Sequence, residues 1–351
     1  MINVGLIGFG LAGRSFHAPV ISAVPGLKLA AILQRSGSEA AAAYPDARIV
    51  RSLDELLAIR DIRLIVIATP NETHAPFARQ CLAAGRDVVV DKPFATSYEE
   101  AASLAQLAQK SGRLLTVYQN RRYDGDFQAI RELVAAGTLG RIVRFETNYD
   151  RFRPNLKPNA WREQQVAGAG IWFDIGPHLI DHAMVLFGLP AAVTADIRTE
   201  REGGKADDAF DVMFHYPHSM RAVLSSNILA ATQRTRFLLF GTKGAFLKQT
   251  FDPQELNLRR GEIPKDGPWG SEPEENWGLL TLSDRTNTTQ RRVPSGTGDY
   301  RDYYANVRDV LLGKAELFVT LPHALDVMRA LELARESSAK GCTIPWPTTH
   351  A

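Results

Sequence analysis

Two stretches of this 351-residue chain concentrate groups able to hold a reacting oxygen or move a proton: VVVDKPF, residues 88–94, and GAGIWFDIGPHLIDHAMVLFG, residues 168–188. In the first, three valines run directly into Asp91, Lys92 and Pro93. A buried strand avoids charge, so the pair marks a strand tip. Ligands of an open α/β sheet bind outside the carboxyl ends of its strands. That rule places Asp91 and Lys92 beside a crevice, and Pro93 biases Lys92 towards an extended backbone. A surface ion pair between Lys92 and Asp91 is the plainer alternative. LIVIATPNETHAPFA ends a preceding strand and delivers Thr69, Pro70, Asn71 and His74 to the same edge.

In the second stretch, Gly176 and Pro177 read as a helix start, with proline at the first helical position. Leu179, Ile180, Ala183, Met184 and Phe187 form its apolar stripe. His178 then falls in the first turn and Asp174 just precedes it. The positive end of a helix disfavours imidazolium, so His178 is expected to stay neutral and able to accept a proton. Asp174 is placed to orient the ring or to bind a substrate hydroxyl. His182 follows His178 at i+4, with Asp181 beside it. H-x-x-x-H can be a zinc pair. A third ligand and the glutamate of H-E-x-x-H are missing, so no metal is expected. Hydrogen bonding between helices, or to the residues that touch the ligand, is the preferred role for Asp181 and His182.

Elements that position these groups follow from the pattern of apolar runs. NVGLIG, LKLAAIL, IRLIVIA, DVVV and LLTVY alternate with helix-like segments through residue 120. Strands without polar alternation are buried on both faces, as in a parallel sheet covered by helices. SYEEAASLAQLAQKSG has Thr96 or Ser97 as N-cap and Gly112 as its stop. Beyond residue 120 the texture changes. RIVRFETNYD alternates with period two, and hairpins are expected around Pro217–His218 and around GTKG. Residues 252–300 read as a long excursion with short strands, and two amphipathic helices follow. The expected organisation is a doubly wound parallel α/β (Rossmann) domain over 1–120. An α+β domain with an open, mainly antiparallel sheet is expected over 121–351.

VGLIGFGLAG spaces Gly8, Gly10 and Gly13 as G-x-G-x-x-G, with Leu11 and Ala12 inside the loop. The pattern alone is weak, but here it follows a strand and opens a helix, which is the required context. Gly8 permits the tight turn, Gly10 lets backbone approach a pyrophosphate, and Gly13 lets helix and strand pack. An NAD site usually offers an acid about 20 residues past the glycines. Gln34, Arg35 and Ser36 stand there instead. A guanidinium and a hydroxyl would bind a 2′-phosphate that a carboxylate would repel. NADP is therefore favoured. The alternative is NAD, with Arg35 an ordinary solvated residue.

Charge nearly balances at +2 with no polybasic run, so no nucleic-acid partner is implied. Apolar runs are strand-sized and none spans a membrane. MINVGLIGFG lacks a basic n-region, so no signal peptide is read and a cytoplasmic location is expected. Cys81 and Cys342 match no metal or redox spacing.

Together GFGLAG, TPNETH, DKP and DIGPH, in this order, resemble the glucose–fructose oxidoreductase/inositol dehydrogenase (GFO/IDH/MocA) family along essentially the whole chain. QNRRYDGDF, YDRFRP, WREQ, GTKGAF, FDPQE and GDYRDYY are similar to its NADP-preferring scyllo-inositol dehydrogenase branch. Asp91 stands where glutamate is commoner. The resemblance implies hydride transfer between nicotinamide and a secondary alcohol or ketone of a cyclic polyol or sugar. It casts Lys92 as the residue holding the reacting oxygen, His178 as general acid/base and Asp174 as its support. It places Arg121, Tyr149, Asp150, Trp161 and Arg162 on the substrate side, with Asn120, Trp161 and Arg162 also reaching the cofactor. A homodimer or homotetramer is implied as well. Reduction of another sugar-type carbonyl is an alternative, as is a non-catalytic nucleotide-sensing regulator. A sensor need not keep lysine, aspartate and histidine together, as this chain does.

Overall fold

The computed structural model describes residues 1–347 apart from 158, 159, 265, 266, 268 and 285. The described residues divide into two compact units. The first comprises 1–123 with the later segments 253–269 and 299–328, and the second takes 124–252, 270–298 and the chain from 329 onward.

Six strands build the first unit: β1 Ile2–Ile7, β2 Leu27–Leu33, β3 Arg48–Val50, β4 Ile62–Ile67, β5 Asp87–Val90 and β6 Leu115–Val117. They pair in the order β3-β2-β1-β4-β5-β6, all in parallel. This is the doubly wound order, and its switch point falls between β1 and β4. Leu64 to Ile67 and Val88 to Val90 are fully buried, which is why these strands carry no polar alternation. The 14-residue helix Tyr98–Ser111 begins at Ser97, whose hydroxyl accepts from Glu100 N at 3.2 Å. Such a cap contributes about 1 kcal/mol. The helix stops at Gly112, with φ +60°.

A single break at residue 120 does not describe this chain. Leu258, Tyr300, Tyr303, Tyr304, Val307, Leu311 and Val319 are buried in the same apolar cluster as Val4, Leu6, Val66, Val89 and Tyr118. The helix Arg301–Leu311 carries three of its tyrosine and valine anchors on one face, so the chain returns to cover the parallel sheet.

The second unit holds β7 Ile142–Asn148, β8 Ala192–Arg198, β9 Ala209–His215, β10 Arg221–Asn227, β11 Phe237–Gly241, β12 Gly244–Lys248, β13 Gly278–Ser283, β14 Thr288–Val293 and β15 Ile344–Pro345. Their order is β14-β13-β12-β11-β7-β10-β9-β8-β15, antiparallel except for the β7–β10 pair. Both expected hairpins form, β9 with β10 and β11 with β12. One face of the sheet buries Phe145, Val212, Phe214, Leu224, Phe237 and Leu239. The helix Gly170–Phe187 packs on this face, with the Phe187 ring 5.5 Å from that of Phe145. Among the described residues no helix is long and apolar enough to cross a membrane, and no group of side chains is placed to hold a metal ion.

Candidate active site

At the β1/β4 switch point a cleft of about 440 Å³ opens outside the strand ends. Its walls include Gly8 and Gly10 after β1, Gln34, Arg35 and Ser36 after β2, and Thr69 and Pro70 after β4. Gly8 has φ +96°, and a Cβ there would stand 2.5 Å from the Ala68 carbonyl oxygen. A Cβ on Gly13 would collide with Gly8 O, whereas one on Gly10 would meet nothing within 4 Å. Gly8 and Gly13 are thus required by the fold itself. Gly10 instead leaves open space beside the backbone, as a pyrophosphate needs. The residues present fit a dinucleotide.

Arg35 and Ser36 therefore share one cleft with the glycine loop, and no carboxylate stands in their place. The loop is braced from behind by Arg51, which donates to Gln34 O at 2.7 Å and Gly37 O at 3.0 Å. Glu72, Thr73 and Phe77 also line the cleft. Arg51 lies outside every motif, while Glu72, Thr73 and Phe77 lie in the LIVIATPNETHAPFA stretch but are not singled out from it.

Leu11, Ala12, Gly13, Asn71, Asp91, Lys92 and Asn120 are not among the walls of this cleft. Leu11 is exposed, while Asn71 and Asn120 are buried. His74 has no exposed surface and is not among the walls of this cleft. Its Nδ1 lies 2.8 Å from Pro93 O and its Nε2 3.0 Å from Thr69 O. The ring ties two strand-end loops together. Burial lowers its pKa, against the opposing pull of Asp91 and the two carbonyls.

Asp91 and Lys92 follow β5 directly, and Asp91 N continues the ladder to Ile67 O at 2.9 Å. Asp91 Oδ1 accepts from Lys92 N at 2.8 Å, and Oδ2 lies 3.6 Å from His17 Nε2. Burial pushes the Asp91 carboxyl up, but His17, Lys92 and His74 outweigh it and the pKa is lowered. Arg121 is buried in an ion pair with Glu255.

In the second unit, Asp174 and His178 lie on the helix Gly170–Phe187. This corrects the expected start at Gly176. His178 sits about two turns inside the helix, beyond the first turn where the positive end acts, so the expected helix-end effect on the imidazole does not apply. The true start is held from a distance. Ile171 N donates to Asp207 O at 2.8 Å and Trp172 N to Asp207 Oδ1 at 2.6 Å. Gly176 is glycine for another reason: a Cβ would stand 2.6 Å from the buried Trp172 ring. Pro177 is tolerated inside the helix.

Asp174 Oδ2 accepts from Arg151 Nη1 at 3.0 Å, and Arg162 Nε stands 3.8 Å from Oδ1. The Arg162 guanidinium lies 4.5 Å from the Trp161 ring centroid. Tyr149 is buried, with Arg151 over its ring at 5.1 Å. Asp150, expected on the substrate side, is engaged with the protein itself. It is 3% exposed and takes Arg234 through two bonds of 2.7 and 2.6 Å, together with Asn227 N at 3.0 Å. His182 is fully buried, stacked on Phe127 at 4.2 Å.

Comparison with known proteins decides the family. A model described as an oxidoreductase family with an NAD-binding Rossmann fold matches residues 2–119, and one for the GFO/IDH/MocA C-terminal domain matches 127–247. The chain belongs to the GFO/IDH/MocA family of oxidoreductases. It is 40% identical to the uncharacterized oxidoreductase YdgJ of Escherichia coli over 343 residues, covering 98% of each protein. It is 34% identical to the NADP(+) scyllo-inositol 2-dehydrogenase IolW of Bacillus subtilis, covering 98% of this chain and 95% of that protein. A solved oxidoreductase from Bacillus cereus superposes with a TM-score of 0.91 at 31% identity, covering 100% of both chains. In this GFO/IDH/MocA oxidoreductase the nucleotide-binding model spans all six strands of the parallel sheet, and the C-terminal model spans β7 to β11 of the mixed sheet.

Proposed function

We propose that this oxidoreductase uses NADP to interconvert a secondary alcohol and a ketone on a cyclic polyol or sugar of the scyllo-inositol/inosose type. The observation that carries the cofactor choice is the placement of Arg35 and Ser36 in one cleft with Gly8 and Gly10. The likeness to IolW, whose name specifies both NADP(+) and scyllo-inositol, supports the substrate class.

When bound, the dinucleotide supplies the hydride acceptor for oxidation, or the donor for reduction. Backbone N–H groups after Gly8 would hold the pyrophosphate, and Arg35 with Ser36 would hold the 2′-phosphate. Lys92 donates a hydrogen bond to the reacting oxygen and favours its alkoxide character. During oxidation His178 takes the hydroxyl proton, and in reduction it returns one. Asp174, held by Arg151, supports His178 and offers an acceptor to a neighbouring hydroxyl. A homodimer or homotetramer belongs to the same reading, and light scattering tests it.

A panel of inositols, other cyclic polyols and sugars, assayed with NADP and with NAD at the reduced-nicotinamide absorbance band, tests the proposal. Turnover of a cyclic polyol with NADP is expected. Turnover confined to other substrate classes, or equal efficiency with NAD, overturns it.

A further inference from the structure

A buried cluster behind the lysine has no place in the mechanism above. His17 closes the short helical turn Gly13–His17 that follows the glycine loop. It has no exposed surface. Its Nδ1 is 2.6 Å from the hydroxyl of Tyr304, a residue 287 positions away, and its ring lies 4.4 Å from that of Tyr118. Its Nε2 points at Asp91 Oδ2 at 3.6 Å.

The network fixes which nitrogen carries the proton. Burial holds the Tyr304 phenol well above its ordinary value of 10, so that hydroxyl keeps its proton and can donate to Nδ1. The neutral ring then bears its hydrogen on Nε2, and an imidazolium would bear one there too. In either state an N–H faces the Asp91 carboxylate. The remaining tautomer would turn a lone pair on it. Asp91 spends its other oxygen on Lys92 N at 2.8 Å. Two pieces of chain thus meet at one carboxylate, the glycine-loop helix through His17 and the tip of β5 through Lys92, and His17 in turn is tied to the helix Arg301–Leu311 through Tyr304.

We propose that His17, seated on Tyr304, is a positioning residue for Lys92: it fixes the Asp91 carboxylate, which in turn fixes the backbone from which the lysine projects. The assignment rests on the reading of Lys92 as the residue that holds the reacting oxygen. The charged and titratable groups around the ring are Asp91, Tyr118 and Tyr304, with Lys92 and His74 beyond Asp91. Because His17 follows the phosphate loop directly, a plain packing role would show in cofactor affinity. A positioning role shows in turnover.

His17→Leu, His17→Gln and Tyr304→Phe separate these outcomes. Each is measured for kcat at saturating NADP, for NADPH affinity by fluorescence, and for the rate at which an amine-selective reagent labels Lys92, read by peptide mass spectrometry. His17→Leu is expected to lower kcat on the order of tenfold to a hundredfold with NADPH affinity unchanged. Lys92 should label faster once its backbone is released. His17→Gln, whose amide N–H reaches the place of Nε2, should restore most of the rate. Tyr304→Phe should show the same split, more weakly. If His17→Leu does not fold, the Gln and Phe variants carry the test through the same three readouts. Unchanged Lys92 labelling in the folded variants overturns the proposal, as does a loss of turnover matched by a loss of NADPH affinity. Should the wild-type protein turn over no polyol, the proposed function fails, and the labelling rates alone still decide the role of His17.

Discussion

Arg151 donates to Asp174 at 3.0 Å, one turn of helix before His178. Both side chains are mostly out of solvent, at 15% and 19% exposure, so the pair is worth more than an open surface bridge. Hydrogen bonds to charged groups contribute about 1.5–3 kcal/mol. Arg151→Met should leave the fold intact and lower kcat/KM roughly tenfold or more, the equivalent of about 1.4 kcal/mol. Steady-state kinetics beside a thermal melt checks this. A normal kcat/KM would show that Asp174 needs no help from Arg151.

Under the proposed NADP preference, Arg35 meets the 2′-phosphate. Replacing it with aspartate removes a charge-assisted contact to the 2′-phosphate and adds repulsion. Arg35→Asp should reduce kcat/KM for NADP by at least the roughly 10–150-fold that about 1.5–3 kcal/mol represents. Efficiency with NAD should hold or rise. The ratio of the two, measured on one preparation, is the readout, and an unchanged ratio removes Arg35 from the phosphate site.

The strand tips were legible because buried parallel strands announce themselves locally. Val88 to Val90 ending in Asp91 and Lys92 needed no distant information. The glycine loop and the period-two alternation of β7 were equally local. What escaped the sequence was every contact made across long separations. Asp207 holds the start of a helix that seemed to begin at Gly176. Tyr304 reaches His17 across 287 positions. The contacts of the His74 ring with Pro93 O and Thr69 O join two strand-end loops that its motif alone does not connect. Asp150 is spent on Arg234, a partner no spacing rule foretells.

Lys92→Ala should abolish turnover while NADPH still binds, because Lys92 lies outside the walls of the cleft that holds Arg35 and Ser36. Fluorescence titration of NADPH beside rate measurements tests both halves. Near-normal turnover would make the lysine structural.

Asp91 carries a lowered pKa, and the sign of its pH dependence follows. A carboxyl whose folded value lies below its ordinary 3.8 binds protons less tightly when folded than when unfolded. Its stabilisation is therefore complete above that value and is lost as pH falls through the folded one. Asp91→Asn should lie below wild type by a constant margin in denaturant melts at neutral pH, and the two curves should converge only in strong acid. A margin that grows on acidification would contradict the assigned charge network.

His178 and His182 lie one helical turn apart, yet proton transfer is assigned to His178 alone. His182 is fully buried, stacked on Phe127 at 4.2 Å and meeting Phe237 edge-on at 5.4 Å. His178 carries the match to D-x-G-x-H, with Asp174 one turn before it. General acid–base catalysis contributes typically about 10²–10⁴-fold, and His178→Ala should lower kcat by that order. Oxidation by the wild-type protein should rise with pH as one group deprotonates, and that ionisation should vanish in the variant. His182→Ala should instead lower the melting temperature, since truncating a buried ring leaves a cavity. It should keep most of the rate and the same pH profile. If His182→Ala is the dead variant while His178→Ala keeps its rate and its profile, the proton-transfer role belongs to the other histidine.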